Sequence, residues 1–91
     1  MSPRGRPGRA VRARENLARA VVSALAQARR DAGLTRERLA ARSGVSAHTI
    51  AKIEQVAVTD PGFTVVATLA RTLELSLDDL IRRARDTLES D

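Results

Sequence analysis

Apolar positions along the chain fall into five stretches with helical spacing. The longest runs from about Ala10 to Ala32, where Leu17, Val21, Ala24, Leu25, Ala28 and Ala32 step by three and four and share one face. Gly33 follows, the residue type that most readily takes the positive φ of a helix end. A second helix is predicted over about 35–42, capped by the Thr35 hydroxyl, with Leu39 and Ala40 facing inward and Gly44 stopping it. Ser46 caps a third over about 46–55, in which Ile50 and Ile53 are the apolar pair. Residues 56–62, VAVTDPG, read as a loop broken by Asp60-Pro61-Gly62. A fourth helix spans about Phe63 to Leu73, with Val66, Leu69, Ala70 and Leu73 as its stripe. Ser76 caps a fifth, whose first turn holds Asp78 and Asp79, where the positive end of the helix dipole favours acids. Leu77, Leu80, Ile81, Ala84 and Leu88 line one side of it. Val56 and Val58 are the only alternation and are too short for a strand. The expected fold is all-α, with five helices and an extended first helix.

Residues 1–9, MSPRGRPGR, are Gly, Pro and Arg with almost nothing to bury, so they read as a disordered basic arm. Residues 10–91 read as one domain. A chain of 91 residues buries modest surface, so its core must be economical or shared with a partner. That core is Leu, Val, Ile and Ala; Phe63 is the lone aromatic. Without cysteine there is no disulfide framework and no thiolate metal site, which suits a reducing cytosol. No apolar run approaches the length of a bilayer span, and the basic N-terminus lacks the apolar segment of a secretory signal.

The net charge of +5 conceals an asymmetry. Residues 1–52 hold twelve basic and three acidic residues, for +9; residues 53–91 hold four basic and eight acidic, for −4. A basic half beside an acidic one implies a face directed at a polyanion. The bland alternative is arginine merely solvating Ala-rich helices.

Function concentrates in RERLAARSGVSAHTIAKIEQ, Arg36 to Gln55. Two short helices joined by a tight turn that starts at Gly form a helix-turn-helix. Ala40 is small where the helices cross, Gly44 supplies a backbone conformation other residues resist, and Val45, Ile50 and Ile53 seal the inner angle. The remaining positions are polar and free to meet a wet surface.

LTRERLAARSGVSAHTIAKIE, Leu34 to Glu54, resembles the Cro/repressor-type (Xre) helix-turn-helix family. The similarity continues through DPGFTVVATLARTLELSLDDLI, Asp60 to Ile81, and covers roughly residues 20–83. It implies a five-helix lambda-repressor-like domain and a sequence-specific, duplex-DNA-binding transcriptional regulator, expected to be a repressor, in the bacterial cytoplasm and associated with the nucleoid. It also implies that the helix starting at Ser46 lies in the major groove. Carried over by position, Ala47, His48 and Thr49 stand at its base-reading start and Lys52 one turn on. His48 and Lys52 suit purine acceptors, Thr49 a base or phosphate, and Ala47 a thymine methyl. Thr35 and Arg36, where the family often has Gln, would clamp a phosphate at the start of the second helix. The family pairs the Glu54 position with an arginine late in the first helix, here Arg29, which predicts an ion pair tying that helix to the reading unit. Two departures stand out. Val56 replaces a common Gly, so the third helix is expected to end differently. The loop Ala57-Val58-Thr59-Asp60 carries no positive charge for phosphate.

Positive charge is available in the arm instead. Pro3-Arg4-Gly5-Arg6-Pro7 resembles the AT-hook core, which would place Arg4 and Arg6 along a narrow minor groove; a basic tail without groove preference is the alternative. Catalysis is not expected, because His48 stands alone without cysteine or a convergent acid set, and no cofactor or metal is implied. Rival functions are an architectural DNA-binding protein of low specificity and an antitoxin-type repressor with a protein partner. The stripe Leu77, Leu80, Ile81, Ala84, Leu88 either packs on Leu17 and Val21 or forms a homodimer. The dimer is the expectation, since paired half-sites suit paired readers.

Overall fold

The computed structural model describes residues 8–55 and 60–90. These form five helices: α1 (Arg9–Asp31), α2 (Arg36–Ser43), α3 (Ala47–Gln55), α4 (Phe63–Thr72) and α5 (Leu77–Glu89). No strand occurs among the described residues. The readings of the AT-hook-like segment and of Val56 fall on residues outside those described.

Three of the helix starts follow from a side-chain hydrogen bond. Oγ1 of Thr35 accepts from Arg38 N–H at 3.1 Å, Oγ of Ser46 from Thr49 N–H at 3.0 Å, and Oγ of Ser76 from Asp79 N–H at 3.0 Å. Each satisfies one amide that the helix itself leaves unpaired. Arg9, read as part of the arm, is already the first residue of α1. Ala32, read as part of the apolar face, is exposed, because α1 stops at Asp31 and the chain turns away. Gly44 ends α2 with φ 79°, in the left-handed region, and its N–H donates to Ala40 O at 2.9 Å.

The core is one cluster around α1. Leu39, Ile50, Leu69 and Leu80 are its fully buried large side chains, one each from α2, α3, α4 and α5. They close on Val21, Val22, Ala24 and Leu25 of α1. α5 packs chiefly against α1, while α2 packs against α3 and α4. This arrangement corrects the reading of the α5 stripe as a single dimer surface. Leu80 and Ala84 point into the chain's own core and are buried. Only Leu77, Ile81 and Leu88 remain exposed, because a stripe five residues long wraps past the width of the α1 contact.

Candidate nucleic-acid interface

α2 and α3 form a V whose apex is the turn Gly44-Val45-Ser46. Its inner side is closed by Leu39, Ile50 and Ile53, all buried, with Val45 packed against them. The outer side of α3 is polar. His48 and Lys52 are exposed and lie four residues apart, on one face. Ala47 and Thr49 are half-buried beside them, and the first turn of α3 contains no acid. The leading end of α3 is therefore at the surface.

The cap itself engages two of the site hydroxyls. Ser46 Oγ accepts from Thr49 N–H and donates to Thr49 Oγ1 at 2.9 Å. Ser46 is committed to starting the helix, whereas the Thr49 hydroxyl proton is still available for an outside acceptor. Thr35, at the start of α2, is exposed, and the acid in that first turn is Glu37.

At the open end of the V, Glu54 gathers two arginines. Arg29 Nε donates to Glu54 Oε2 at 2.9 Å and Arg29 Nη2 to Oε1 at 3.0 Å, while Arg29 Nη1 donates to Leu34 O at 2.8 Å. Arg36 Nε donates to Glu54 Oε1 at 2.8 Å. The Glu54 side chain is 7% exposed. Burial alone would push its carboxyl up, but hydrogen bonds from Arg29 and then Arg36, with their charges, hold it below the ordinary value. No buried side-chain polar atom lacks a partner among the described residues.

The second bond to Glu54 is the feature sequence reasoning missed. It read Arg36 as facing outward to a phosphate, but the side chain turns inward and is about one-third exposed, at 32%. The available signal was the arginine itself, long and charged, and as far from the turn along α2 as Glu54 is along α3. The exposed Arg38 and Arg42, four residues apart on α2, were also not singled out. Arg4 and Arg6 lie outside the described residues.

A second surface lies away from α3. A groove of about 760 Å³ runs between α1, α4 and α5, lined by Leu17, Phe63, Val66, Leu77 and Ile81. Phe63 is 73% exposed. Arg14, Glu15 and Asp60 also line it. Among the described residues no group of three His, Cys, Asp or Glu is placed to hold a metal ion, and no helix is long and apolar enough to cross a membrane.

The family model described as a helix-turn-helix domain matches residues 20–84. That range holds the whole V and all of α4, and begins inside α1. No curated protein and no solved structure matches the chain.

Proposed function

The chain belongs to the helix-turn-helix domain family, and on that premise we propose that it is a sequence-specific, duplex-DNA-binding transcriptional regulator. The observation that carries this reading is the leading end of α3, with His48 and Lys52 exposed on one face of a capped, acid-free helix start. Seated in a major groove, His48 and Lys52 meet purine N7 and O6, Thr49 donates to a base or phosphate, and Ala47 meets a thymine methyl. Thr35 and the first amides of α2 approach the flanking phosphate, with Arg38 and Arg42 beside them. Arg4 and Arg6 of the N-terminal arm supply further contacts in the neighbouring minor groove. The action is repression by occlusion, since a domain filling the groove excludes other proteins from those base pairs.

The protein acts as a homodimer through the groove between α1, α4 and α5. Leu17, Phe63, Leu77 and Ile81 are exposed there together, a concentration that scattered surface apolars do not produce. Arg14 with Glu15 and Asp60 gives the rim both signs of charge, which a two-fold axis can set against each other.

Selection from a pool of random duplexes, followed by a footprint of the full chain, tests the reading. A sharp palindrome with a high ratio of selected to non-selected affinity supports it. Broad A·T-rich recovery with steep salt dependence and little discrimination supports an architectural role instead. Absence of duplex binding overturns both.

A further inference from the structure

The ends of the V are tied. Arg36 is the first residue of α2 and Glu54 the penultimate residue of α3. Each lies eight residues from the turn, about 12 Å along its helix at the usual rise. The 2.8 Å bond from Arg36 Nε to Glu54 Oε1 therefore spans the mouth of the V, opposite the apex at Gly44. Two rods hinged at one end have a free angle; joined also at the other, they form a triangle, and the angle is fixed. Arg29 anchors the same carboxylate to α1, so the triangle is held to the spine as well.

We propose that Arg36 is a positioning residue: through Glu54 it braces the open end of the helix-turn-helix and sets the angle at which α3 is presented to DNA. The inference rests on α3 being the DNA-reading helix. It assigns Arg36 to discrimination between sequences, in place of the phosphate contact its position would suggest. The geometry favours this because Nε, the guanidinium nitrogen nearest the chain, is already bonded inward, and the carboxylate it meets is nearly buried. A brace differs from a phosphate anchor in what its removal changes. Without the brace α3 can tilt, which harms base recognition that needs alignment and leaves backbone attraction intact. Without a phosphate anchor all duplexes bind more weakly alike.

The test uses the full chain, a duplex recovered by selection, and a scrambled duplex of the same composition, titrated over a range of salt. The wild type is compared with Arg36→Gln, Glu54→Gln and the double variant, and each is also melted. Arg36→Gln should lower the selected-to-scrambled affinity ratio roughly five- to tenfold. Affinity for the scrambled duplex should hold, and the salt slope should change by much less than the roughly 0.9 that one phosphate contact contributes. The double variant should discriminate no worse than Glu54→Gln alone, because Arg36 acts through Glu54. If Arg36→Gln is unfolded at the assay temperature, Arg36→Lys, which keeps the charge but not the planar N–H geometry, should show the same pattern more weakly. A uniform loss on both duplexes with a full unit of slope, additive losses in the double variant, or an unchanged ratio each overturns the brace. Equal wild-type affinity for both duplexes overturns the reading of α3 itself. An intact wild-type ratio with an indifferent Arg36→Gln overturns only the brace.

Discussion

Arg29 grips Glu54 with two hydrogen bonds of 2.9 and 3.0 Å across 25 residues of sequence, joining the last turn of α1 to the last turn of α3. A fork of this kind fixes direction as well as distance, because the guanidinium and carboxylate must be nearly coplanar to make both bonds. The third donor of Arg29 holds Leu34 O, so the residue also shapes the turn into α2.

The Glu54 carboxyl titrates below its ordinary 4.5 in the folded chain. A carboxyl with a depressed folded value contributes stability that is fully present above the unfolded value and is lost as pH falls through the folded one. The wild type should therefore be more stable than Glu54→Gln at neutral pH. The difference should shrink as pH drops below 4.5. Melting temperatures of both proteins from neutral to acid pH check this; a gap that persists at the acid end would contradict it.

Gly44 sits at φ 79°, and a Cβ built there meets nothing within 4 Å. The penalty for Gly44→Ala is then conformational alone, about 1–2 kcal/mol for a left-handed non-glycine residue. Gly44→Asn should cost less, since asparagine tolerates that region better. Urea unfolding of the three proteins decides it, and equal midpoints for glycine and alanine would remove the conformational argument.

His48→Ala and Lys52→Ala leave the core untouched, as both side chains are exposed. Each should lose about 1–3 kcal/mol of discrimination if it makes a good base contact. Lys52→Ala should also flatten the salt slope to the extent that it touches phosphate. Affinities on duplexes altered one base pair at a time locate the base that each residue meets. Footprints and ratios unchanged in both variants would mean another element reads the DNA.

Much of this architecture was legible from spacing and caps. Thr35, Ser46 and Ser76 each mark a helix start because a short hydroxyl is the cheapest partner for an orphan amide, and all three bonds are present. The buried positions of α3 and α4 followed from three-and-four spacing. What spacing could not show is how far around a helix its neighbour reaches. Leu77, Leu80, Ile81, Ala84 and Leu88 look equivalent in sequence, yet only Leu80 and Ala84 meet the core. The direction of Arg36 was likewise hidden, because a long side chain at a helix start can turn toward either solvent or protein. The pairing of Glu54 with Arg29 follows from the family resemblance; its second partner, Arg36, is visible only in the structure.

Phe63→Ser and Ile81→Glu test the apolar groove as a self-association surface. Both residues are exposed in the single chain, so monomer stability should change little. A buried aromatic anchor at an interface centre is commonly worth 2 kcal/mol or more, so association should weaken by roughly thirtyfold. Sedimentation over a range of concentrations reads this directly. A wild type that stays monomeric, or variants that associate as well as it does, would exclude the groove.

Deleting residues 1–8 leaves α1 starting at Arg9 and removes Arg4 and Arg6. The slope of log affinity against log salt should fall by up to about 0.9 for each phosphate that the arm had neutralised. Base preference within the site read by α3 should hold. An unchanged slope would mean that the arm contributes nothing to DNA affinity.

From Leu17 beside the groove to Arg29 at the clamp, α1 continues without interruption, about 18 Å of helix at the usual rise. On the proposed reading the self-association surface and the reading head share a single stiff bar, so two joined copies would make a caliper rather than a pair of tethered hands. A caliper fits one gap. Inserting a single base pair between the two halves of its target would lengthen that gap and rotate one half by roughly 35° relative to the other, with no joint in α1 to follow it.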